Sequence, residues 1–115
     1  MSAGFHIDVE SAIASLPKQP VEQYTIVYRH GTFEAGLYAP RGVDEQTPHT
    51  RDEAYVVVKG SGQFVCGDTR TAFAPGELLF VPAGMTHRFE RFTGDLTVWV
   101  IFYGPQGGEH VDKSE

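Results

Sequence analysis

Tyr55-Val56-Val57-Val58-Lys59-Gly60-Ser61-Gly62-Gln63-Phe64-Val65-Cys66 reads as a strand, a tight turn and a returning strand. β-Branched and aromatic residues suit a pleated, packed surface, and Gly60-Ser61-Gly62 lets the chain reverse between the two runs. The run 55–58 is apolar on both faces, so it is expected to be covered on both sides. Working outward, the same pattern repeats. Runs 24–29 and 33–39 flank a His30-Gly31-Thr32 turn. Runs 71–74, 78–81, 85–92 and 96–103 are separated by Pro75-Gly76, Pro82-Ala83-Gly84 and Thr93-Gly94-Asp95. Roughly eight or nine short strands with regular turn signals describe an all-β sandwich or barrel.

One segment has a different period. Asp8 can cap a short helix over 9–16 in which Val9, Ile13 and Leu16 share a face, and Pro17 stops it. So short a helix needs something to pack on. The last residues, 104–115, carry few apolar anchors and are expected to form a loose tail beyond a barrel core of about 24–103.

The length, 115 residues, allows one domain, here 1–115. Thirteen Gly and seven Pro argue against a helical bundle, while 41% hydrophobic residues argue against disorder. A net charge of −6 speaks against a nucleic-acid partner, since phosphate binding rests on clustered Lys and Arg. No run approaches the length of a membrane span, and the first residues lack the basic and apolar regions of a signal peptide. A cytoplasmic location is expected. Cys66 is the only cysteine, which excludes an intrachain disulfide and a Cys-rich zinc site.

Three side chains carry the candidate chemistry: His49, Glu53 and His87. His49 and Glu53 are four apart, so in extended chain they point to the same face. Glu53 precedes the Tyr55 run, and His87 follows the Pro82-Ala83-Gly84 turn. Two imidazoles and a carboxylate converging in a β scaffold suit a divalent transition metal, with open positions for water or substrate. Iron, manganese, nickel, cobalt and zinc all accept such ligands. By parity Arg51 and Tyr55 share the face of Glu53, and Phe89 that of His87. Arg51 beside a metal favours a substrate carboxylate or phosphate. Tyr38 and Trp99 are further candidates for a substrate-binding wall.

The spacing around these residues resembles the cupin superfamily. The first cupin motif runs His-x-His, three or four residues, Glu, six residues, Gly; here Thr47-Pro48-His49 is followed by Glu53 and Gly60 at those intervals. The second runs Gly, five residues, Pro-x-Gly, two residues, His, three residues, Asn; here Gly76, Pro82-Ala83-Gly84, His87 and Arg91 occupy those places. The resemblance covers 47–91 directly. It implies an antiparallel jelly-roll barrel with a metal inside, held by His49, Glu53 and His87. Two positions depart from the pattern. Arg91 replaces asparagine, and Thr47 replaces the first histidine. A threonine hydroxyl is a poor ligand for these metals, and Gln46 next door offers an amide oxygen. Pro48 disturbs the local strand, so parity leaves open which of Gln46 or Thr47 faces inward.

The resemblance implies a metal-dependent enzyme acting on a small organic molecule, of dioxygenase, isomerase or lyase type. Glu53 is then a ligand or a catalytic base. The other reading is a non-catalytic small-molecule-binding cupin whose metal site is weakened or lost. Either way a homodimer is expected, because small cupins often pair near the N-terminus and 24–29 looks like an edge needing cover.

Overall fold

A computed structural model describes residues 4–17, 23–44 and 46–111. It contains one helix, α1 (Val9–Ala14), and eight strands: β1 (Tyr24–His30), β2 (Phe33–Tyr38), β3 (Asp52–Lys59), β4 (Gly62–Cys66), β5 (Thr69–Phe73), β6 (Leu78–Val81), β7 (His87–Glu90) and β8 (Thr97–Tyr103). They form two antiparallel sheets, β1-β2-β8-β3-β6 and β5-β4-β7. The all-β jelly-roll expectation holds, as two facing sheets. No helix among the described residues is long and apolar enough to cross a membrane.

Tyr55, Val57, Phe64, Phe73, Val81, Phe89, Leu96, Val98 and Val100 form the core between the sheets. Strand alternation decides membership. Val98 and Val100 are buried inward, so Trp99 between them faces the opposite side, where it pairs with Leu37 and Val56. The 55–58 run is covered less fully than its composition suggests. Tyr55 and Val57 are buried, but Val56 and Val58 are half-buried on the outer face. At the β6 edge of that sheet, Leu78 is 70% and Phe80 50% exposed. The opposite edge of the sheet is β1, the strand expected to need cover.

The helix starts where its cap predicts. The Asp8 carboxylate accepts from the Ser11 amide, and Ser15 caps the helix two residues before Pro17. Just before it, Phe5 stacks on Tyr28 of β1 with ring centres 4.3 Å apart. Gly60 is required by its surroundings: its φ is +94°, and a Cβ there would lie 2.7 Å from the Leu96 Cα.

The expected loose tail is tied down as far as residue 109. The Gly107 amide donates to the Thr50 carbonyl, and the Glu109 amide to the buried Asp52 carboxylate. The other Asp52 oxygen accepts from the Ala83 amide. One acid thus joins the start of β3, the 82–84 turn and the C-terminal segment. All three bonds are donated by backbone amides, two of them to the Asp52 carboxylate, and composition does not reveal them; residues 112–115 lie outside the described set.

Candidate metal centre

The site is assembled from both sheets and one loop. Glu53 stands on β3, paired with Val81 on one side and Phe102 on the other. His87 opens β7 in the facing sheet, opposite Cys66. His49 lies in the loop entering β3, its ring edge-on to Phe102 at 5.0 Å. Its carbonyl accepts from the Gly84 amide, so the turn before His87 is pinned to the loop carrying His49. The donor atoms of His49, Glu53 and His87 all lie within 4.8 Å of one another.

Gln46 completes the cluster. Its side-chain oxygen lies 3.3 Å from His49 Nε2, 3.1 Å from His87 Nε2 and 3.0 Å from the Tyr55 hydroxyl, which donates to it. Thr47 is exposed and takes no part. Between the two candidates left open by parity, the structure selects Gln46. Residues 46–49 are loop rather than strand, so residues three apart can face one point.

An amide oxygen serves as a ligand only if the amide is held the right way round. Asp44 does this. Its buried carboxylate accepts from the Gln46 side-chain nitrogen at 2.7 Å, leaving the oxygen to face the histidines. The same carboxylate accepts from the Gln46 backbone amide, the Tyr38 hydroxyl and the Phe89 amide. All four partners are donors, which a carboxylate alone among the side chains can satisfy here.

The histidine tautomer is fixed in the same manner. His87 Nδ1 donates to the Met85 carbonyl at 2.9 Å, which leaves the Nε2 lone pair directed at the cluster. Glu53 Oε1 is 3.1 Å from His87 Nε2 and 3.9 Å from His49 Nε2, but it is buried without a hydrogen-bond partner. Oxygen and nitrogen ligand atoms therefore face a common point, and one buried carboxylate oxygen has only ion-pair contacts with the two imidazoles and no assigned hydrogen bond. Donors about 2.1 Å from one cation sit roughly 3 Å apart when adjacent, the scale of the separations observed. The residues fit a divalent cation.

Burial and charge tune the pair of imidazoles in opposite senses. Burial lowers the pKa of His49, with the Glu53 charge opposing it only in part. Burial also disfavours charged His87, but Glu53, the Met85 carbonyl and Asp44 together outweigh it, and its pKa is raised. Burial, reinforced by the neighbouring Glu53 charge, holds the Tyr55 hydroxyl far above its ordinary range, so it remains a donor to Gln46.

A cavity of about 600 Å³ opens beside the cluster, with Gln46, His49 and Glu53 on its wall. Tyr38, Arg51 and Tyr55 line it as well. Two residues expected on this wall are elsewhere. Phe89 sits behind it in the core, 5.0 to 5.3 Å from the rings of Tyr55, Phe64 and Phe73. Trp99 is on the outer face, because β8 turns Val98 and Val100 inward. Sequence reasoning passed over Asp44 and Tyr24. An acid two residues before Gln46 was the available sign for Asp44; nothing local marks Tyr24.

If Gln46 serves as a ligand with His49, Glu53 and His87, neighbouring positions should respond unequally. Gln46→Ala is expected to weaken Co²⁺ binding at least tenfold, while Thr47→Ala leaves it within about twofold. Equilibrium dialysis measures both, and a larger loss at Thr47 contradicts the assignment.

Comparison with known proteins agrees with this layout. A family model described as a cupin domain matches residues 36–103. An uncharacterized protein of Streptomyces coelicolor is 38% identical over 85 residues, which are 72% of this chain and 81% of that one. Among solved structures, protein NMB1881 of Neisseria meningitidis superposes with a TM-score of 0.65 at 22% identity, over 87% of this chain and all of that one. The Fe(II) form of HppE does so with a TM-score of 0.57 at 15% identity, over 70% of this chain and 48% of its own. At those identities the two structures speak for the fold. The family model spans more than half the sequence and contains all four clustered residues together with the motif glycines Gly60 and Gly76, and on that match the chain belongs to the cupin family.

Proposed function

We propose that this cupin holds one divalent transition metal on Gln46, His49, Glu53 and His87 and acts enzymatically on a small organic molecule admitted through the adjacent cavity. The buried Glu53 oxygen, which has no assigned hydrogen bond and sits among the converging Gln46, His49 and His87 atoms, carries the proposal. A burial of this kind costs stability in a metal-free protein and is recovered when a cation binds. Such a cation supplies Lewis-acid polarisation of a substrate oxygen or, with a redox-active metal, electron transfer of the dioxygenase type.

The chain's own groups do the rest. Tyr55 and Asp44 hold the Gln46 oxygen toward the cluster, and the Met85 carbonyl holds the His87 ring. Phe102 and Val100 give the cavity a dry side, and Arg51 gives it a cation. Glu53 is the carboxylate within reach of both imidazoles and, in an isomerase or lyase reading, acts as the base instead of as a ligand. The non-catalytic reading drew its force from the missing first histidine. With Gln46 seated at the cluster, that departure no longer means a missing ligand.

The test is elemental analysis of protein purified without chelator or nickel resin, followed by titration with Mn²⁺, Co²⁺ and Zn²⁺. One equivalent of metal is expected. Protons compete with the cation for His87 Nε2, and that proton is held above the ordinary histidine value of about 6.5. Affinity should therefore rise with pH, by about tenfold per unit while His87 is protonated, and flatten above its pKa. His49, with its pKa lowered, adds to the slope only at more acidic pH. Failure to bind any of the three metals, or an affinity that ignores pH, contradicts the proposal.

A further inference from the structure

Gly36 sits in the interior of β2 with no unusual backbone angle to explain it. Its reason is close packing. A Cβ there would lie 2.7 Å from Tyr24 Cε1, 2.8 Å from the Tyr24 hydroxyl and 2.7 Å from the Thr25 carbonyl. The ring of Tyr24 thus lies against the backbone of β2 on the inner side of the sheet, and it forms part of the cavity wall. Its hydroxyl is buried without a hydrogen-bond partner. Apart from Glu53 Oε1, it is the only such side-chain atom among the described residues. Burial, then the charges of Glu34 and Glu53, push its pKa upward, so it is a proton donor.

The charged groups on the same wall have a sign. Outside the metal cluster they are Arg41, Arg51 and Glu34. The Arg51 guanidinium donates to the Thr32 carbonyl through Nη1, but its Nη2 is 3.6 Å from Glu34, beyond hydrogen-bond reach. Arg41 donates to the carbonyls of Pro40 and Leu96 and has no ion pair among the described residues. A buried donor lacking an acceptor and a guanidinium held by one carbonyl and a loose 3.6 Å ion pair with Glu34 therefore share one wall. The metal cluster stands on the same cavity.

Building on the metal-site reading above, we infer that Tyr24 and Arg51 recognise the carboxylate of a two-headed ligand, a small dicarboxylic acid whose other end faces the Gln46–His49–Glu53–His87 cluster. Because the hydroxyl is buried against Gly36 in the empty protein, reaching the ligand requires the ring to move off that position. The absence of a Cβ at 36 gives the ring its resting place. The orphaned hydroxyl costs stability in the empty protein and regains it on binding, so a binding role and a structural role move two observables in opposite directions.

The experiment uses Tyr24→Phe and the full-length protein loaded with Co²⁺. Malonate, succinate and glutarate are titrated by calorimetry against their monoamides, which keep one carboxylate for the metal and remove the second charge. At least one diacid is expected to bind about tenfold or more tightly than its monoamide. Tyr24→Phe should weaken that diacid by about tenfold. It should leave Co²⁺ affinity unchanged and raise the Tm of the ligand-free protein by about 4 °C, because an unsatisfied buried hydroxyl is removed. No diacid preference, an unchanged diacid affinity in Tyr24→Phe, or a fall in its Tm each overturns the inference while leaving the metal site intact. Failure of the wild type to bind Co²⁺ overturns the metal reading and this one with it.

Discussion

His87→Ala is expected to lower the affinity for Co²⁺ by more than about 100-fold. Groups that merely orient a ligand are worth about 10- to 100-fold, and this change removes the ligand itself. The His87 side chain is fully buried, with Glu53 Oε1 3.1 Å away and the Gln46 oxygen at the same distance. Removing the imidazole takes a nitrogen from the cluster and leaves the Glu53 carboxylate facing a void. A buried charge that loses its partner costs about 3 kcal/mol or more, so metal-free His87→Ala should also unfold at lower urea. Glu53→Gln separates the two effects. It keeps the volume and removes the charge, so it should lose most metal binding while retaining metal-free stability. Dialysis at equilibrium with elemental analysis reads the first quantity and urea unfolding the second. Stoichiometric metal in His87→Ala at micromolar concentration contradicts the assignment.

Asp44→Ala is expected to damage fold and site together. The carboxylate takes four hydrogen bonds: from the Tyr38 hydroxyl on β2, the Phe89 amide on β7, and the side-chain and backbone nitrogens of Gln46. Without it, donors on both sheets are left buried and unpaired at about 1–3 kcal/mol each, giving a loss of about 3 kcal/mol or more by urea unfolding. Gln46 also becomes free to turn its nitrogen toward the histidines, so metal affinity should fall about 10- to 100-fold. Asp44→Asn makes the sharper test, because its amide offers hydrogens where the site supplies hydrogens. It should bind metal as poorly as Asp44→Ala while filling the same space. Wild-type metal affinity in Asp44→Asn would show that Gln46 needs no orienting partner.

Much of this architecture was legible in the chain. Strand and turn follow from alternation and from glycine and proline placement, and seven of the eight strands lie close to the runs read from them. The exception is β7, four residues long where 85–92 reads as strand, because Met85 and Thr86 belong to the turn that aims His87. His49, Glu53 and His87 stood out because metal ligands come from few residue types and their spacing matched two motifs. Gln46 did not. Parity applies to extended chain, and 46–50 is a loop whose direction is set by Asp44 and by the Gly84 bond to the His49 carbonyl. Trp99 failed for the converse reason. In a long apolar strand every residue looks like core, and only its neighbours across the sheet reveal which face is inside. Tyr24 was hidden because its position depends on Gly36, a contact between strands.

The four bonds on Asp44 carry a consequence for how this site can change over generations. A substitution that spoils metal binding through Asp44 also weakens the joint between the two sheets, so selection on foldedness alone removes it. Thr47 lies exposed beside the cluster and has no such tether, so it is open to drift. The Gln46 oxygen is thus sheltered by a neighbour that also holds the sheets together, and lineages of this protein should lose the tailoring of the cavity before they lose the amide that faces the cluster.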